Sequence, residues 1–261
     1  MVGKRRSGLA NHRRAYACGR SCTNSICPSV TISDIATFDG EEWWLNNNTT
    51  ILACQTLTIS AGIYIIVTDG LILTNNGTII NNGTITIDNG GTITNYSTSF
   101  VNNGRIYILD GCQFINSWDG NSGPILTNNG EITIATNGIL ANGHSTLNNT
   151  AGGNIYNRGT ITNLQAVINN YGNIINNDRG LISTENSTIY NSGGTITNNI
   201  GATINNQISS RIYNNNGGTI TQNTSATFTN NGIIHNANGS STCGVGTIVG
   251  TILGTFGTNC P

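Results

Sequence analysis

The chain has 261 residues, of which 36% are hydrophobic and only 8% charged, with 34 glycines, 3 prolines and a formal net charge of −1. An average globular protein is roughly a quarter charged, so amides and hydroxyls must keep this surface wet. Evenly spaced β-branched residues argue against a disordered body, and no run is long and apolar enough to cross a bilayer as a helix.

The charge is unevenly placed. Lys4, Arg5, Arg6, Arg13, Arg14 and Arg20 crowd residues 1–30, which hold no acid and show no helix or strand periodicity. This stretch reads as a basic, cysteine-containing arm, suited to an acidic protein surface or to nucleic acid. Only Tyr16 accompanies the cations, so stacking on bases is not indicated. His12, Cys18, Cys22 and Cys27 are zinc-ligand types, but no C-x2-C pair is present and the spacing is irregular. A tethered extension is the expectation. No apolar segment follows the cations, so a secretory signal is not recognised.

Residues 31–54 contain Asp34, Asp39, Glu41, Glu42 and the pair Trp43-Trp44. Repeat proteins must cover their open ends, and this segment reads as an N-terminal cap with one indole over the first rung. A sugar-binding role for the Trp pair is the weaker alternative.

From 55 to 239 one phrase recurs: Thr or Ser around a large apolar residue, then Asn-Asn and Gly. Apolar residues seven or eight apart form three series. The first holds Ile85, Ile106, Ile132, Ile155, Ile174, Ile196 and Ile220. The second holds Ile93, Phe114, Leu140, Ile161, Ile182, Ile204 and Phe228. The third holds Ile79, Phe100, Ile125, Leu147, Val167, Ile189, Ile212 and Ile234. Each face returns after roughly 22 to 24 residues, a solenoid period. The expected fold is all-β: a right-handed, three-sided parallel β-solenoid of about eight coils, rising about 4.8 Å per coil. Seven-to-eight-residue sides do not fit the strict six of a left-handed hexapeptide helix. Asn and Gly at the corners tolerate left-handed backbone, and stacked Asn can bond from coil to coil.

In the third series a second apolar residue often follows the inward one: Ile80, Val101, Leu126, Ile168, Tyr190 and Tyr213. Side chains alternate along a strand, so one member of each doublet points out. The expectation is an apolar stripe that serves as an assembly interface, or that the arm or tail covers.

The stretch 116–124 lengthens one corner and carries Trp118 and Asp119, a candidate glycan contact. Residues 240–261 form an uncharged Gly/Thr/Ile-rich tail that caps the last coil or adds to another subunit. Cys243 and Cys260 bracket it and are a candidate disulfide. Cys54 and Cys112 read as core residues, and seven cysteines cannot all pair within one chain.

No catalytic, cofactor or metal site is expected. Acids are scattered, whereas glycoside hydrolysis needs two carboxyls about 5 to 10 Å apart. His144 and His235 lack partners for a triad or a metal. Thr-Ile-Thr triplets such as 84–86 and 92–94 raise ice binding, but they divide between two faces.

The phrases at 73–95 and 193–199, LTNNGTIINNGTITIDNGGTITN and GGTITNN, resemble the Asn/Gly/Thr-rich β-solenoid repeats of adhesin-like surface proteins and of viral fibre or structural proteins. The resemblance implies a passive, exposed or assembled role: a non-enzymatic structural protein forming a homo-oligomer or filament, on a virion or extracellular surface. A carbohydrate-binding adhesin or tailspike-like depolymerase is the alternative, with ice binding a further one.

Overall fold

A coil begins with four residues such as Thr84-Ile85-Thr86-Ile87, turns, continues as Thr92–Asn95, turns again, and ends as Ser99–Asn102 before the next coil opens at Arg105. The computed structural model describes residues 29–118, 123–237, 239–244, 247–253 and 256–257. Across them the chain winds into a three-sided parallel β-solenoid of about nine turns. One hydrogen-bonded sheet forms the first face. A second sheet forms the other two, bending round their shared corner because Thr227–Asn236 runs through it and pairs on both sides.

Alternation decides what is inside. Of each four residues, the second and fourth point inward and the first and third outward, as in Thr195-Ile196-Thr197-Asn198. Ile85, Ile106 and Ile132 are register partners on the first face, and Ile93, Phe114 and Leu140 on the second. All six are fully buried. Their stacking makes one continuous apolar core, each side chain contributing roughly 1.5–3 kcal/mol of transfer free energy. Phe100 and Phe114 fill the section edge to face, with ring centroids 5.0 Å apart.

The inward fourth residue is usually Asn, and it makes the corners. On the third face the Nδ2 of Asn81 donates to Asn102 Oδ1 at 2.7 Å, and Asn102 to Asn128 at 2.7 Å. The relay continues through Asn149, Asn170, Asn191 and Asn214 to Asn236. Each amide from Asn81 to Asn214 also donates to a main-chain carbonyl of the next coil, as Asn170 does to Thr195 at 3.1 Å. A second relay runs from Asn75 through Asn95, Asn116 and Asn142 to Asn163. Thr184 then takes the asparagine position and donates to Asn206. Buried amides are tolerated because their neighbours satisfy them. The relays are polarised, and two of their ends show it. Asn81 Oδ1, at the N-terminal end of the third-face relay, and Gln222 Nε2, at the C-terminal end of a further relay that runs from Asn157 through Asn176 and Asn198 on the first face, are buried without a partner.

Two members of the third series are corrected. Leu126 and Ile168, expected in the outward stripe, lie in the core with at most 1% exposure, while Ile125 and Val167 are the outward residues. The corner amides set this register. Asn128 and Asn170 must stack inward, and the residue two before each must then point inward as well. The stripe of Ile80, Val101, Leu126, Ile168, Tyr190 and Tyr213 is therefore broken by Thr127, Asn148 and Asn169, which lie between Val101 and Tyr190.

The cap is smaller than expected, and the solenoid extends at both ends. A four-residue helix, Ile32–Ile35, starts at a capping box in which Asp34 accepts from Thr31 N–H at 2.8 Å. It leads into Ala36–Phe38, which pairs antiparallel with Trp43–Leu45. Trp43–Leu45 already belongs to the first face, pairing in parallel with Tyr64–Val67. The Trp43 ring packs 5.2 Å from Phe38 and lies against the core, while Trp44 Nε1 donates to Asp39. At the other end Ser241–Gly244, Thr247–Leu253 and Phe256–Gly257 continue the parallel pairing. Much of the tail is thus further coil.

Cys54 is exposed and disulfide-bonded, which corrects its assignment to the core. Cys112 is buried and free. Cys243 is disulfide-bonded; its candidate partner Cys260, the arm residues Lys4 to Arg20 and Asp119 all lie outside the described residues.

Candidate functional surface

Outward residues on the faces form columns one coil apart. Toward the C-terminal end of the third face, one column reads Tyr190, Tyr213, His235 and Leu253, and its neighbour Thr188, Arg211 and Ile233. The Tyr190 and Tyr213 rings stack 5.2 Å apart at 11°. His235 follows at 6.0 Å, tilted by 58°. Tyr190, Ile233 and Leu253 are all exposed beyond a third of their surface. Here the polar amides and hydroxyls of the face give way to rings and aliphatic carbon. Earlier members Ile80 and Val101 are half-buried and separated from this patch.

Trp118 sits where Gln113–Ser117 leaves the second face, with 46% of its surface exposed. Its ring lies 5.8 Å from that of His144, on the next coil, tilted by 45°. His144 takes a left-handed backbone at φ 47.

The Thr triplets fall as the spacing predicts. Thr195 and Thr197 pair with Thr219 and Thr221 on the first face, whereas Thr92, Thr94, Thr160 and Thr162 lie on the second. Arg105-Tyr107, Glu131-Thr133 and Asn154-Tyr156 separate the first-face hydroxyls. Among the described residues no three of His, Cys, Asp and Glu are grouped to hold a metal ion, and no helix is long and apolar enough to cross a membrane.

One feature of this surface escaped the sequence reading. At the corner joining first and second faces, four residues separate the strands in the coils on either side, as in 135–138 and 177–180. Between Asn157 and Thr160 only Arg158 and Gly159 intervene. The signal was a shortened phrase, NRG, but its consequence appears only when neighbouring coils flank it.

These features define a parallel β-solenoid with amide-relay corners and an uneven outer surface. No protein-family model and no curated protein matches the chain. Among solved structures it is similar to the crystal structure of a TibC-catalysed hyperglycosylated TibA fragment, residues 55–350. That match has 18% identity, 88% coverage of this chain, 97% of the other and a TM-score of 0.23. A likeness at that score carries no argument about function.

Proposed function

We propose that this chain is a non-enzymatic structural protein, exposed on a virion or cell surface, whose copies assemble into a fibre, shell or surface decoration. The observation that carries the proposal is the third-face patch of Tyr190, Tyr213, Ile233 and Leu253. A flat sheet that exposes stacked rings beside aliphatic groups has much to gain by burying them against a second copy. A net charge of −1 leaves little long-range repulsion between copies. The test is sedimentation velocity of the full chain and of the Tyr190→Ser/Tyr213→Ser variant. Assembly that the double variant abolishes supports the reading. A monomer at all concentrations sinks it.

A saccharide-binding reading of the Trp118 corner has the exposed indole beside His144 in its favour, since aromatic faces are contact surfaces for sugar C–H groups. Loss of glycan binding in Trp118→Ala is its test.

A further inference from the structure

The two-residue turn at Arg158 cuts a notch in the first corner. Gly159 makes the cut possible: a Cβ there would overlap the carbonyl oxygens of Gly138 and Ala135. The short turn is held down by Arg158 N–H to Ile134 O at 2.9 Å and Gly159 N–H to Asn157 Oδ1 at 3.1 Å. The four-residue turns on either side overhang it. On one side is a groove of about 560 Å³ lined by Arg158, Asn177, Asp178, Asn199, Ile200 and Thr224. On the other, Arg158 and Asn177 share a second hollow of about 380 Å³ with Thr133, Thr136 and Tyr156. Volumes of a few hundred Å³ suit a small ligand.

The chemistry of the walls is mixed. An outer amide relay runs along this corner, from Asn223 Nδ2 to Asn199 Oδ1 and from Asn199 Nδ2 to Asn177 Oδ1, both at 2.5 Å. It is polarised toward the notch, so it ends on the Nδ2 donor of Asn177, beside the donors of Arg158. Asp178 supplies a carboxylate acceptor, Thr136 a hydroxyl that donates and accepts, and Thr133, whose hydroxyl already donates to Glu131 Oε1 at 3.1 Å, an acceptor. Tyr156 and the 66%-exposed Ile200 add apolar wall. One Arg and one Asp leave the groove electrically balanced, which disfavours an anion.

We propose that this notch binds a neutral saccharide. Vicinal hydroxyls would accept from Arg158 and Asn177 and donate to Asp178, with sugar C–H surface against Tyr156. The site is separate from the third-face patch and from the Trp118 corner, so it stands or falls independently of both.

The test is ligand-observed NMR on the full chain with linear tetramers of glucose, mannose, galactose and N-acetylglucosamine, and with tetragalacturonate as an anionic control. Saturable binding of a neutral tetramer is expected, weakened about tenfold or more by Arg158→Gln and by Tyr156→Ser, and unchanged in Trp118→Ala. Arg158 is exposed, so an unaltered thermal transition in Arg158→Gln shows that the fold is intact. No binding of any neutral tetramer at millimolar concentration overturns the proposal. Binding insensitive to Arg158→Gln, or restricted to tetragalacturonate, overturns it as well.

Discussion

Ile134 and Asn157 are register partners on adjacent coils, both fully buried at the same corner, yet one is a hydrocarbon and the other an amide. N-terminal to this step the corner holds Val67, Ile87, Ile108 and Ile134. C-terminal to it Asn157 donates to Asn176 at 2.7 Å, Asn176 to Asn198 at 2.8 Å, and Asn198 to Gln222 at 2.9 Å. The same backbone corner therefore accepts either filling, provided that each amide finds amide neighbours. A lone amide among aliphatics would carry a desolvation cost that no partner offsets.

Interrupting a relay at its middle should be severe. Asn170→Ala takes one acceptor from Asn149, which keeps Gly153 O and Asn173 O, and leaves the buried Asn191 Oδ1 without its donor beside a small cavity. A loss of roughly 2–4 kcal/mol is expected from urea unfolding. Asn169→Ala next to it, half-buried on the outer side and bonded to Asn148, should cost under about 1 kcal/mol. Equal losses would refute an energetic role for the inner relay.

Gly159→Ala should destabilise the protein by about 2 kcal/mol or more, because the added methyl meets backbone carbonyls that belong to the preceding coil and cannot move aside alone. Gly62→Ala is the contrast. Its Cβ would meet open space, so only the strain of φ +79 applies, about 1 kcal/mol. Thermal unfolding of the two variants checks the order.

The Asp39 carboxylate accepts from Glu42 and Glu41 N–H, each at 2.9 Å, and from Trp44 Nε1 at 2.8 Å. These bonds, the Glu42 amide foremost, hold its pKa below the usual carboxylate range. A depressed folded-state pKa means stability that is fully present above the unfolded value and lost as pH falls through the folded one. The Trp44 indole N–H resonance should therefore stay constant down past about pH 4 and move only below it. Movement at or above the ordinary value would contradict the geometry, and Asp39→Asn should abolish the transition.

Burial pushes the Cys112 thiol above its ordinary pKa, with the nearby charges of Asp88 and Asp110 adding to the rise. Less thiolate at neutral pH means slow alkylation. Peptide mapping after iodoacetamide treatment should find Cys112 unmodified in native protein and modified in urea. Rapid native labelling would mean that the second-face turn opens.

Much of the fold is legible in single residues. Ile85, Ile93, Phe100 and their successors are spaced so regularly that three inward series follow from alternation alone. Doublets such as Ile125-Leu126 and Val167-Ile168 defeated that spacing, because either member satisfies a hydrophobic count. The deciding information was the Asn two residues later, whose amide must meet Asn102 or Asn149 on the previous coil. That requirement is visible only once coils are stacked.

The surface divides in the same way. Composition and periodicity by themselves determined a weakly charged rod with hydroxyl- and amide-bearing sides, since both depend on residues near in sequence. Which outward groups meet depends on partners roughly twenty residues apart, and tertiary structure alone decided that Tyr190 stacks on Tyr213 and that Trp118 faces His144. It also decided that Arg158 lies in a notch, because a turn is short only relative to the turns above and below it.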